Sequence, residues 1–271
     1  MRRFAFFAFF CLFFMIASGA ADAVPSRIVS ASPCFTEILF ALGVGDRVVG
    51  VTKYCDDIKG AEGKKIVGDM NLSLEAVVSL RPDLVIAMPN GKGDNVRILK
   101  SKGLNVISMR CDNLSEFRSC VRRIGEVTGS SKRASALLSE MDSKIASLRA
   151  MSKRIDPAKR KRVFVEIWDS PLMTPGKRSH VSEIVSLAGG IGGGDSIDGV
   201  CGIVGTEFLY SFDPDVILLL NSRAPGRAWK GLRAVRDGKV FVLDHNRFAR
   251  ISFRMPDLAL EIHRMLYGGA K

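Results

Sequence analysis

The apolar residues of this chain fall into two periods that alternate along it. Short runs of branched residues at Arg27–Ala31, Arg47–Thr52, Asp83–Met88 and Asn105–Met109 have the length and composition of buried strands. The segments between them carry helix signals. Ser32 followed by Pro33 starts a helix that runs to Leu42 and stops at Gly43, Ser73 caps another, and Asp94–Lys102 and Ser115–Thr128 have helical periodicity. Lys53–Asn71 is long, polar and glycine-containing, which predicts a surface loop. From Ser131 to Arg154 the pattern changes. No Gly or Pro interrupts it, and Ala134, Leu137, Leu138, Met141, Ile145 and Leu148 repeat on one face, predicting one long amphipathic helix of roughly 35 Å.

After that helix the alternation restarts. Arg162–Trp168 reads as a strand, Val181–Ala188 as a helix, Asp215–Leu220 and Lys239–Leu243 as strands, and Thr206–Phe212, Ala228–Val235 and Pro256–Leu266 as helices. Gly189–Gly194 follows a helix rather than joining a strand to one, so it predicts a flexible connector and not a phosphate cradle. The two halves also share wording. Residues 73–88, SLEAVVSLRPDLVIAM, and 205–220, GTEFLYSFDPDVILLL, pair Glu75 with Glu207, Pro82 with Pro214 and Asp83 with Asp215, each 132 positions apart. The pattern predicts an α/β protein of two Rossmann-like lobes with mostly parallel sheets: residues 24–130 form one lobe, 131–154 the connecting helix and 155–271 the other lobe.

Residues 1–23 belong to neither lobe. Arg2 and Arg3, an apolar run from Phe4 to Ile16 and the small residues Ala21-Asp22-Ala23 have the design of a cleaved secretory signal. Cys11 lacks the small-residue context of a lipid-modified cysteine, so a soluble exported protein is expected. Removal of the signal lowers the net charge of +12 by one. Export makes nucleic acid an improbable partner for this basic surface. Five cysteines follow the signal, at 34, 55, 111, 120 and 201. No C-x-x-C zinc pattern is present, the odd count leaves one thiol unpaired, and a bridge between Cys34 and Cys55 is one open pairing.

Motifs of catalysis are missing: there is no G-x-S-x-G, H-E-x-x-H or G-x-x-x-x-G-K-[ST]. The three histidines are scattered, so no catalytic group and no protein-held metal is expected, although His180 and His245 fall in segments that could reach a cleft. Ligands on parallel sheets bind beyond the carboxyl ends of the strands. That rule selects Ser32, Pro33, Tyr54, Asp69, Met70, Met88 and Asn90 in the first lobe, and Trp168, Met173, Cys201, Asn246, Arg247 and Arg250 in the second. Tyr54 and Trp168 would offer flat apolar faces with polar handles, and the arginines would pair with carboxylate or phosphate. Glu75 and Glu207 open their helices, where a carboxylate is favoured by the helix dipole, and both are equally suited to meet a basic partner.

Four stretches carry a resemblance: RIVSASPCFTEILFALGVGDRVVGVTKYCD (27–56), MNLSLEAVVSLRPDLVIA (70–87), PLMTPGKRSHVSEIVSLAGG (171–190) and DGKVFVLD (237–244). Together they resemble the periplasmic binding proteins that take up iron–siderophore, haem and cobalamin, most closely the cobalamin branch. The resemblance implies a helical-backbone, two-lobed metal-chelate receptor that is not an enzyme, acts as a monomer in the periplasm and delivers its ligand to the permease dimer of an ABC importer. It implies that Glu75 and Glu207 dock on permease arginines, and that Tyr54 lies against a corrin, with Arg250 at a polar contact. It implies no cofactor, only a transported ligand. Cobalamin or another corrinoid is the first expectation. Ferric siderophore and haem are the alternatives, since basic residues 247, 250 and 254 suit anionic groups and Tyr54 or a histidine could ligate haem iron. Positions often aromatic in cobalamin binders are Met88 and Cys201 here. An exported enzyme acting on such a chelate is the remaining expectation of a different class.

Overall fold

The computed structural model describes residues 24–69, 71–89 and 95–268. The proposed signal segment, Met70 and Asn90 lie outside the described residues.

Two parallel sheets form the frame. The first contains β1 (Ile28–Ser30), β2 (Val48–Val51), β3 (Lys65–Ile66), β4 (Leu84–Ala87) and β5 (Val106–Ser108) in the order β3-β2-β1-β4-β5. The second contains β6 (Arg162–Glu166), β9 (Ile191–Gly192), β11 (Val216–Leu219) and β12 (Val240–Val242) in the order β12-β11-β6-β9. In each, the first strand of the lobe lies beside the strand that follows the Pro-Asp pair: Ile28 is in register with Leu84, and Val163 with Val216. The strands are apolar on both faces because helices cover both. In the first lobe these are α1 (Pro33–Ala41), α2 (Leu74–Ser79), α3 (Asn95–Ser101) and α4 (Leu114–Val127). In the second they are α6 (His180–Leu187), α7 (Thr206–Phe212), α8 (Arg233–Arg236), α9 (His245–Phe248) and α10 (Met255–Tyr267).

The repeated unit has a structural explanation. The residue before each proline, Arg81 at φ 46° and Asp213 at φ 43°, is left-handed and ends the preceding helical segment. The aspartate after each proline then accepts from the backbone that opens the neighbouring strand. Asp83 accepts from the Ser26 and Arg27 N–H groups at 2.7 and 2.9 Å, and Asp215 accepts from the Arg162 N–H at 2.8 Å.

The long helix α5 (Ser131–Lys153) lies between the lobes. Its buried face is Ala134, Leu138, Met141, Ile145, Leu148 and Ser152, with Leu137 half-buried. It packs against α4 of the first lobe and against α6 and α10 of the second. One continuous apolar core therefore runs from Ile28 through α5 to Leu266. Among the described residues no helix is long and apolar enough to cross a membrane.

Two expectations are corrected. The glycine run is not a flexible connector: Ile191–Gly192 is the edge strand β9. A Cβ on Gly194 would lie 1.9 Å from the Pro175 carbonyl oxygen, so the glycines permit close backbone packing. A third sheet was not foreseen. It joins the antiparallel strands β7 (Trp168–Asp169), β8 (Leu172–Pro175) and β10 (Cys201–Ile203) in the order β10-β8-β7.

Candidate binding cleft

The carboxyl ends of β1 and β4 in one sheet and of β6, β11 and β12 in the other open onto a single cavity of about 660 Å³ between the lobes. That volume lies within the range of small-molecule sites. The first lobe contributes Ser32, Pro33, Cys34, Tyr54, Met88, Cys111 and Asp112, and the second Trp168, His180, Val200, Asn221, His245, Asn246, Ala249, Arg250 and Ile251. A recess of about 130 Å³ continues it into the first lobe past Thr52, Asp69, Leu72 and Val96.

Local sequence explains how these groups are presented. Ser32 stands at the cap position of α1 with Pro33 in the first turn, but its hydroxyl does not cap the helix. It points at the Met88 sulfur, 3.7 Å away, so the end of β1 and the end of β4 meet on the cavity floor. Tyr54 sits in a 3-10 turn, Lys53–Cys55, and is 43% exposed. Trp168, on β7, is 50% exposed, and its indole N–H donates to the Ser170 carbonyl at 2.9 Å. Large aromatic faces left this open to solvent on either side of a cleft are the feature expected of a site that covers a flat apolar ligand.

Two histidines reach the cavity. His180 lies against the Phe248 carbonyl at 3.0 Å, and burial pushes its pKa down, so the neutral ring is the favoured form. The Nδ1 of His245 faces the Leu220 carbonyl at 3.2 Å. A carbonyl only accepts, so Nδ1 carries a proton. Among the described residues Nε2 has no hydrogen-bond partner, and the ring is exposed on the cavity wall.

Arg250 is less free than its sequence position suggests. Its Nε donates to the Asn246 carbonyl at 2.8 Å and its Nη1 to the Tyr54 carbonyl at 3.3 Å; its Nη2 pairs with Asp57, and the guanidinium lies 3.7 Å from Glu37. Glu37 also accepts from Arg254 at 2.6 Å. Burial nevertheless pushes the Glu37 carboxyl above its ordinary value, against the pull of Arg254 and Arg250. These four side chains connect the lobes at the rim of the cavity and leave Arg250 with little net charge to offer.

Seven of the sequence-selected residues share the cavity wall: Ser32, Pro33, Tyr54, Met88, Trp168, Asn246 and Arg250. Met173 and Cys201 do not line it. Both lie in the small antiparallel sheet, where Met173 is in register with Trp168 and Ile203, and Cys201 with Pro175. The rule that points to strand ends assumed parallel strands there. Arg247 turns away to Glu261 at 2.7 Å, and Asp69 forms an exposed pair with Lys53 at 2.9 Å. Cys34, Cys111, Asp112, Val200, Ala249 and Ile251 line the cavity without having been selected. Cys34 is the one a sequence signal could have found, since it follows Ser32 and Pro33 directly. Glu75 and Glu207 are exposed in the first turns of α2 and α7, away from the cavity wall.

Two parallel α/β sheets joined by one long helix, with a lined cleft between them, have the architecture of a two-lobed ligand-binding protein. The chain belongs to the periplasmic binding protein family, whose model matches residues 28–246. It is 31% identical over 255 residues to the ABC transporter substrate-binding lipoprotein YvrC of Bacillus subtilis, covering 90% of this chain and 80% of that protein. It is 24% identical to the vitamin B12-binding protein of Vibrio cholerae over 93% of this chain and 94% of that one. Among solved structures, the periplasmic haem-binding protein RhuT of Roseiflexus superposes with a TM-score of 0.79 at 23% identity, over 91% of this chain and 99% of that one. Receptors named for different chelates are thus similar to it to a comparable degree.

Proposed function

We propose that this protein is the exported substrate-binding component of an ABC importer and that it carries a corrinoid, cobalamin first, in the cavity between its lobes. The observation that supports a corrinoid is the wall itself. Tyr54 and Trp168 present open aromatic faces, Met88, Pro33 and Ile251 extend the apolar surface, and Arg250, the arginine that lines the cavity, is already matched by Glu37 and Asp57. A bulky chelate held mainly by apolar faces fits such a wall better than one needing several free cations. No chemical step is required of the protein: a few polar groups, Asn221, Asn246 and Ser32, would fix the orientation of the ligand. Domain boundaries at residues 130/131 and 154/155, a monomeric receptor and release as a soluble protein rather than as a lipoprotein like the Bacillus relative are parts of the same proposal.

Haem is the second reading, and one observation favours it: His245 lines the cavity, its Nδ1 is held by the Leu220 carbonyl, and its Nε2 has no hydrogen-bond partner among the described residues, so this ring would be able to ligate haem iron. Visible spectra separate the readings. Purified protein is titrated with cobalamin, haem and a ferric siderophore. The corrinoid reading expects a saturable shift with cobalamin that Trp168→Ala weakens by roughly tenfold, the loss of about 1.4 kcal/mol of aromatic contact. Saturation with haem alone, or turnover of any bound chelate, overturns it.

Docking would use Glu75 and Glu207, one exposed carboxylate on each lobe. The double variant Glu75→Ala, Glu207→Ala is expected to bind ligand as the wild type does and to lose most of its stimulation of the importer's ATPase. Undiminished stimulation defeats the docking role.

A further inference from the structure

Three of the five cysteines that follow the proposed signal lie close together, and two of them, Cys34 and Cys111, line the cavity. Cys34 is in the first turn of α1, just after β1. Cys111 follows β5, and Cys120 is in α4. The Sγ atoms of Cys34 and Cys111 are 2.8 Å apart, and both residues are 5% exposed. That separation is only about 0.8 Å longer than the ~2.05 Å of a sulfur–sulfur bond. It brings together residues 77 positions apart in sequence, so the proximity is a product of the fold rather than of local chain geometry. Cys55, the partner left open by the sequence, instead points its sulfur at the Thr36 hydroxyl, 3.3 Å away.

We propose that Cys34 and Cys111 form a disulfide under oxidising conditions and that this cross-link braces the floor of the ligand cavity. β1 and β5 flank β4 in the sheet, so the bridge passes over the exit of β4, where Met88 meets Ser32. It holds the turn that presents Ser32 and Pro33. It also holds the segment that reaches the other lobe, since the His180 N–H donates to the Asp112 carbonyl at 2.7 Å and the Leu114 N–H to Glu183 at 2.7 Å. The third thiol, Cys120, donates to the Arg110 carbonyl at 3.1 Å.

The chemistry is thiol–disulfide exchange. One thiolate attacks a small-molecule or protein disulfide, releasing one thiol and forming a mixed disulfide, and the second cysteine then attacks the protein sulfur of that mixed disulfide and expels the other thiol. The two cysteines give up two protons and two electrons, and the oxidant leaves as two thiols. The redox setting rests on the export proposed above, and the test does not. Fully reduced protein is equilibrated with glutathione at increasing oxidised-to-reduced ratios, then denatured, alkylated and mapped by mass spectrometry. The expected product has three alkylated cysteines and a peptide pair joined through Cys34 and Cys111. Five alkylated cysteines at the most oxidising ratio, glutathione adducts alone, or a bridge from Cys111 to Cys120 or from Cys34 to Cys55 overturns the proposal. A second readout needs no mapping. Reductant is expected to lower the melting temperature of the oxidised wild type by roughly 5 °C or more and to leave that of Cys34→Ser, Cys111→Ser unmoved. Equal sensitivity in both proteins counts against the bridge. Neither measurement involves a ligand, so failure of the corrinoid reading would leave both results interpretable.

Discussion

Asp83 and Asp215 show what a repeated residue is for. Each stands after a proline, at the start of a strand, and each accepts hydrogen bonds from the backbone that opens the adjacent strand. The Ser26 hydroxyl adds a third bond to Asp83 at 2.8 Å, and Arg233 adds an ion pair to Asp215 at 2.9 Å. Asp83→Ala is expected to cost about 1–2 kcal/mol in denaturant unfolding, toward the lower end because the site is exposed. The cost is expected to depend on pH. Burial opposes ionisation of Asp83, but the N–H groups of Ser26 and Arg27 outweigh it and hold the carboxyl below its ordinary value. A depressed carboxyl stabilises the fold above its unfolded pKa of about 3.9, and that stability is lost as pH falls through the folded value. The gap between wild type and Asp83→Ala is therefore expected to close below about pH 4, and a constant gap down to acid unfolding would refute the assignment. The doubled Glu and Pro-Asp were legible in the sequence because every part of the unit lies within nine residues. The contact between Cys34 and Cys111 was not, because 77 positions separate the two and nothing local marks either.

At the scale of elements, the sequence was most informative where one period runs long. The face of α5 was legible because its apolar positions repeat over about four turns without a breaker, and the five buried apolar side chains are among those its periodicity marks. The small sheet of β7, β8 and β10 was invisible because strands of two to four residues carry too few alternations to register. That gap is what misplaced Met173 and Cys201. The consequence of α5 goes beyond length. Met141 and Ile145 sit in a core shared by both lobes, with α4 packed on one side and α10 on the other. Truncating Ile145 to Ala leaves a cavity in that shared layer and is expected to cost about 2–5 kcal/mol. Because the core is continuous, calorimetry is expected to show one transition moving to lower temperature. Two separated transitions would mean that the lobes are energetically independent and that α5 merely spans them.

Across the whole molecule, the ligand cavity and the lobe–lobe contact meet at Arg250. Arg250 lines the cavity, yet Glu37 and Asp57 from the opposite lobe hold it, and its side chain is only 11% exposed. A guanidinium with two carboxylates beside it gives a carboxylate-bearing ligand little attraction. On the corrinoid proposal, this electrostatic arrangement would disfavour anionic chelates. The arrangement is also sensitive to pH. Burial raises the Glu37 carboxyl above its ordinary value, so Glu37 takes up a proton early as pH falls, and the fold favours that protonated form. Protonation removes one of the two charges balancing Arg250. Affinity for an anionic ferric siderophore is therefore expected to rise as pH is lowered from neutral toward the ordinary glutamate value of about 4.3, and cobalamin affinity to stay nearly level. Glu37→Gln makes the neutral state permanent. It is expected to strengthen siderophore binding by roughly five- to tenfold at pH 7, the effect of about 1 kcal/mol from one unmatched charge near the ligand, and to flatten its pH profile. Isothermal titration across the pH range reads both. If Glu37→Gln weakens every ligand alike, the carboxylate serves only to hold the lobes together, and the charge on Arg250 has no part in the choice of ligand.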